Sequence, residues 1–221
     1  MNTKLQRQIR RIMIGLAIGI TLVSSGCLGA LQRITLNDQG RYAIDVRLSM
    51  SKAMITAMDS MGGETTDPDE LFDLNDGPVD PESIPGLANV VVEQLDNDID
   101  VGIQFSGVLE SVPDGIDPID APFIPFDVGN TIVIGLPPLE EGKEGPSDPQ
   151  ADQMAAMFFA STKYQLILDK YLYDNVSSAK VMVGETEHPT SVSELPGSWL
   201  IEFPIVTWMQ ATEGCLLVVE L

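Results

Sequence analysis

The chain of 221 residues carries 12 Lys and Arg against 33 Asp and Glu, a formal charge of −21 at pH 7, and such a surface repels nucleic acid and anionic headgroups. Apolar residues make up 44% of it, which excludes a disordered acidic tail and is ample for a hydrophobic core. Cys27 and Cys215 are the only cysteines, so a scaffold stapled by several disulfides is excluded too.

The first element reads as a secretion signal. Lys4, Arg7, Arg10 and Arg11 stand in a segment without acids, and Ile12 to Val23 is an uncharged run of 12 residues. A membrane-spanning helix needs about 20 apolar residues, whereas the apolar region of a signal peptide has about 7 to 15. Ser24, Ser25 and Gly26 follow, and then Cys27. This motif resembles the lipobox of bacterial lipoproteins, in which a peptidase cuts before the cysteine and the new amino terminus carries acyl chains such as palmitate. The resemblance implies a signal peptide over residues 1–26, lipidation of Cys27, and one extracytoplasmic domain over residues 27–221. Two alternatives stay open: an ordinary secretory signal cut after Ser25 or Gly26, with Cys27 free or bonded to Cys215, and an uncleaved membrane anchor. Cleavage before Cys27 removes four bases and no acid, leaving 8 bases against 33 acids and a formal charge of −25. Membrane attachment then has to come from lipid, at about 0.8 kcal/mol per buried methylene.

From Leu31 the pattern alternates, with Ile34 and Leu36 on one side and Arg33, Thr35 and Asn37 on the other. Asp38-Gln39-Gly40 supplies a turn, and the return strand puts Tyr42, Ile44, Val46 and Leu48 on one face and Arg41, Ala43, Asp45 and Arg47 on the other. That predicts a hairpin with one wet face. The next stretch predicts a helix from Ser49 to Met61, capped by Ser49 or Ser51 and ended by Gly62-Gly63. Met50, Met54, Met58 and Met61 fall within a sector of about 80° on it. The stripe is expected to pack on the apolar face of the hairpin as core; the competing use is an adaptable lining for a hydrophobic ligand. Thioethers without Cys or His nearby make a poor metal site.

Glu64 to Pro85 is rich in acids and proline and reads as a surface loop. It fails as an EF-hand, because in Asp73-Leu74-Asn75-Asp76-Gly77 the glycine falls at the fifth place, and Asp96 to Asp100 lacks that glycine. Gly86 to Leu95 predicts a second helix, with Leu87, Val90, Val91 and Leu95 on one face, and Ile99 to Phe105 an alternating strand. Phe123 to Phe126 and Thr131 to Leu136 can pair as a hairpin, with Pro125 restricting the first to an edge. A second acidic loop spans residues 137–149. Asp148 to Ala160 predicts a third helix using Met154, Met157 and Phe158. Strands follow at Lys163 to Tyr173, Ala179 to Val183 and Trp199 to Phe203, then a helical turn from Pro204 to Ala211. The last strand, Cys215 to Leu221, is apolar on both faces and is expected near the centre of the same sheet as the hairpin. The fold class expected is α+β, an antiparallel sheet packed on one face by Met-rich helices, with long acidic loops.

The run Leu36 to Val46 followed by Met50, Met54 and Met58, with Lys163-Tyr164, Val176 to Lys180 and Glu202-Phe203-Pro204 before Leu216 to Leu221, resembles a group of uncharacterised bacterial lipoproteins, some of the LppM type. The resemblance covers both ends of the mature chain, about half of it. It implies an α+β fold and brings no catalytic residue.

Catalytic constellations are not evident. The single histidine, His188, sits beside Pro189 in a polar linker without a Gly-x-Ser-x-Gly elbow or metal-binding partners. No glycine-rich phosphate loop follows a strand, and Cys215 among Leu216, Leu217 and Val218 reads as a buried, unreactive thiol. The expectation is a non-enzymatic binding or interaction module of the cell envelope, without cofactor or metal, held on the membrane through Cys27 and facing an envelope protein. Leu28 after the cysteine favours the outer membrane in a Gram-negative source. The alternative expectation is a carrier of a lipid or other hydrophobic ligand, and a hydrolase ranks third.

Overall fold

The computed structural model describes residues 28–60, 80–112, 115–138, 159 and 162–221. The described residues are mostly β, 57% strand and 10% helical, which overturns the α+β expectation. A first sheet contains β1 (Leu28–Leu36), β2 (Tyr42–Ser51), β3 (Leu87–Asp96), β4 (Asp100–Leu109), β7 (Lys163–Asp169), β10 (Ser191–Leu195) and β11 (Ser198–Pro204), in the order β10-β11-β7-β1-β2-β4-β3. A second contains β5 (Pro125–Val128), β6 (Thr131–Leu136), β8 (Ser178–Val183), β9 (Thr186–Pro189) and β12 (Cys215–Glu220), in the order β5-β6-β12-β8-β9. All neighbours are antiparallel except β1 and β7.

The hairpin forms as its alternation requires. Asn37 Oδ1 accepts the N–H groups of Gln39 and Arg41, both at 2.9 Å, and Gly40 takes φ +73° in the turn. Its apolar face is covered by the second sheet, whose Ile132, Ile134, Leu136, Val181, Leu217 and Val219 join Ile34, Ile44 and Val46 in one core. The methionine helix does not provide that cover. Met50 is the end of β2, and α1 (Lys52–Ser60) is short, its first turn capped where Ser51 Oγ accepts Met54 N–H at 3.2 Å. Met50 and Met54 are buried; Met58 lies within α1, and Met61 outside the described residues. The third predicted helix also lies outside them, apart from helical, buried Phe159, as do residues 64–79 and 139–149 of the two acidic loops.

The predicted helix at Gly86 to Leu95 is strand β3, on an edge of the first sheet. Three successive valines, Val90 to Val92, are poor helix formers because their χ1 freedom is lost against the preceding turn. A bulge between Ala88 and Val91, with Asn89 at φ +53°, shifts the register. Leu87 pairs with inward Leu109 and Val92 with inward Phe105, so the bulge moves the core-facing set from odd to even residues and breaks the alternation a strand normally shows. β12 is central, as its two apolar faces require, but in the second sheet and not in that of the hairpin. The polar linker holding His188 is two strands, β9 and β10, one at an edge of each sheet.

Aromatic rings fill the space between the sheets. Phe123 packs edge-on against Phe105 at 5.7 Å and Trp208 at 6.2 Å, and Tyr164 meets Trp208 at 5.7 Å and stacks on Phe203 at 4.9 Å. Trp208 sits on the short helix α2 (Ile205–Met209) and its indole N–H donates to Pro137 O at 2.6 Å. One polar side chain lies among them: Gln32, on the inward face of β1 and fully buried. Its Nε2 donates to Phe123 O at 2.7 Å, and its Oε1 accepts from the Tyr164 hydroxyl. The segment leading to Phe123 also crosses β6 so closely that a Cβ at Gly135 would stand 1.9 Å from Pro118 O.

Replacing Gln32 by Leu leaves a carbonyl and a phenol unpaired in the core. The expected loss is about 2–4 kcal/mol of unfolding free energy in urea melts, whereas Arg33→Gln on the exposed face changes stability by less than about 0.5 kcal/mol.

Candidate functional site

The strand registers gather chemistry-bearing residues at one end of both sheets. β1 and β7 run in parallel, so the turn after β1 and the loop after β7 lie together, beside the end of β4 and the β10–β11 turn. The β5–β6 turn and the end of β12 join them from the second sheet. We refer to this as the loop end.

Tyr42, Asp127 and Tyr173 meet there. The Tyr173 hydroxyl donates to Asp127 Oδ1 at 3.1 Å, and the Tyr42 hydroxyl lies 3.3 Å from it and 3.5 Å from Asp127 Oδ2. Tyr173 is buried. Desolvation, then the hydrogen bond to Tyr42 and the nearby Asp127 carboxylate, push its phenol far above the ordinary range. It therefore stays protonated at neutral pH. Beside it, the Trp199 indole N–H donates to Tyr173 O at 3.1 Å, and Lys170 Nζ stands 4.7 Å over the Trp199 ring while pairing with Glu194. These groups close the mouth of the space between the sheets.

Outside this closure the loop end combines the exposed Arg41–Glu110 ion pair, at 3.7 Å, with several exposed apolar side chains. Asp169 Oδ1 accepts Tyr171 N–H at 2.9 Å in a tight turn, and the turn projects Tyr171 outward, 89% exposed. Val128 on the β5–β6 turn is 59% exposed, and Leu36 and Val112 are exposed beside them. The β5–β6 turn is fastened, because Asn130 Nδ2 donates to Leu221 O at 2.7 Å and Leu221 N–H to Asn130 O at 3.0 Å. Three of the four tyrosines of the chain, Tyr42, Tyr171 and Tyr173, are thus at one end. Tyrosine is the residue type that concentrates binding energy in protein interfaces.

The residues singled out from sequence fall elsewhere. Cys27 lies outside the described residues, one peptide bond before β1. Met50 and Met54 are core. Cys215 is buried, and desolvation pushes its thiol up to about 12. His188 is half-buried on β9. Around the predicted acid cluster, Asp96 pairs with Lys52 at 2.6 Å and Asp100 with Arg47 at 3.3 Å, while Asn97 Oδ1 accepts the N–H groups of Ile99 and Asp100 to shape the β3–β4 turn. Among the described residues no group of three or more His, Cys, Asp or Glu is placed to hold a metal ion. The loop-end cluster has no spacing signal, since its members are 46 and 85 residues apart; the local traces are the turn acids Asp127 and Asp169. The chain matches no family model, no curated protein and no solved structure.

The raised phenol and thiol make stability fall at alkaline pH. Tyr173 keeps its proton in the folded chain and loses it in the unfolded one above about pH 10, while Cys215 does so between about 9 and 12. The stability they contribute is complete below about pH 8 and lost as pH rises through those ranges. Urea midpoints measured from pH 8 to 11 are expected to drop, with a shallower drop for Tyr173→Phe. At pH 8 that variant loses about 1–2 kcal/mol, as Asp127 is partly solvated.

Proposed function

We propose that this chain is a lipid-anchored protein of the bacterial cell envelope, without enzymatic activity, whose loop end binds another envelope protein. The observation that carries the reading is the direction of β1. It starts one residue after Cys27 and runs nine residues to Leu36 at the loop end, a rise of about 25–30 Å at about 3.3 Å per residue. Acyl chains on Cys27 would therefore hold the opposite end of the domain at the bilayer and present Tyr171 and Val128 outward.

The lipobox resemblance, the uncharged run Ile12 to Val23 and the basic segment before it support export and lipidation. The resemblance to the LppM-type lipoproteins belongs to the same proposal, and its motifs fall in the β1–β2 hairpin and α1, the starts of β7 and β8, the end of β11, and β12. The aromatic packing between the sheets favours an interaction module over a carrier, which needs an interior volume of several hundred cubic ångströms.

Cys27→Ala is expected to leave an unprocessed precursor that takes up no labelled fatty acid; normal processing and labelling would overturn the anchor. For the loop end, a photoreactive residue at position 171 is expected to give one discrete adduct in intact cells. Adding Val128→Asp should abolish that adduct without moving the urea midpoint. An adduct that persists with Val128→Asp removes Val128 from the contact, and no discrete adduct from position 171 overturns binding at the loop end.

A further inference from the structure

The end of the first sheet opposite the loop end carries the start of β1, the junction of β2 with α1, the β3–β4 turn, and α2 beyond β11. The registers Leu28 with Met50, Met50 with Val101, and Lys163 with Pro204 place them together. Two large apolar side chains are left exposed there: Ile99, 61% exposed on the β3–β4 turn, and Met209, 38% exposed at the end of α2. β1 is the fourth of seven strands. Ile99 stands just before β4, two strands to one side of β1, and Met209 on the helix that follows β11, two strands to the other.

We infer that Ile99 and Met209 are contact points for a lipid bilayer, flanking the acyl chains of Cys27. The inference rests on the lipidation proposed above and adds an orientation to it. With Cys27 bonded directly to β1, no linker separates the acyl chains from the sheet, so this edge has to lie at the headgroup layer. Anchoring at the middle of the edge alone would let the sheet rock about one point. Apolar side chains on both flanks resist rocking in the plane of the sheet. Among the described residues, Asp96, Asp100 and Glu202 at this edge are each paired with a base, Lys52, Arg47 and Lys163.

The test uses the full acylated protein reconstituted in phosphatidylcholine vesicles, carrying one nitroxide label at Ile99→Cys, Met209→Cys or Tyr171→Cys. Buried Cys215 does not take the label. Collision with a water-soluble nickel chelate is expected to be several-fold lower, and with oxygen higher, at positions 99 and 209 than at 171. Equal accessibility at all three positions in protein that floats with the vesicles overturns the orientation and leaves the anchor standing. Protein that carries no acyl chain and stays behind when the vesicles float overturns both.

Discussion

One buried amide ties the first sheet to the segment that leads into the second. Gln32 stands at an inward position of β1 where the alternation asks for an apolar residue, and it is stable there because both ends of its amide are used. Its donor holds the carbonyl of Phe123, a residue at φ +66°, a conformation that costs a non-glycine residue about 1–3 kcal/mol and persists only where its surroundings impose it. With Phe123 fixed, its ring lies between Phe105 and Trp208, and the Trp208 indole reaches the carbonyl of Pro137 just after β6. A chain of contacts thus runs from the centre of the first sheet to the end of a strand in the second. Apolar burial drives the sheets together without choosing a relative position, and directional bonds of this kind make the choice.

Local alternation was legible where one face of a strand is wet. The β1–β2 hairpin and β4 follow from it, whereas the central place of β12 follows from its two apolar faces and the edge position of β5 from Pro125. What was not legible has physical causes in particular residues. The cover over the hairpin was assigned to the next segment in sequence, but Ile132, Ile134, Leu217 and Val219 come from far along the chain, and no short-range pattern reports such a pairing. β3 changes parity at its bulge, so its apolar positions imitate a helical face. β9 and β10 are edge strands, and Thr186, Glu187 and Ser193 are as polar as a loop because solvent covers them.

The loop-end cluster was hidden for a related reason. Tyr42 read as one more apolar residue of an alternating face, Asp127 as turn chemistry and Tyr173 as the end of a strand, and each reading is locally sound. Their convergence depends on β1 and β7 lying parallel, the one parallel pairing among the described strands. A parallel neighbour brings the ends of two distant strands to the same side, where a hairpin connection would have separated them.

The position of β1 also decides how the domain bears load. Its neighbours grip it along its length, through nine residue pairs with β2 and five with β7. A chain tethered at Cys27 and tugged at the loop end would feel tension along β1, across hydrogen bonds that lie nearly perpendicular to the force on the β2 side. In that geometry the bonds are sheared together and cannot be unzipped one at a time. A strand at the edge, peeled from its end, would yield at far lower force.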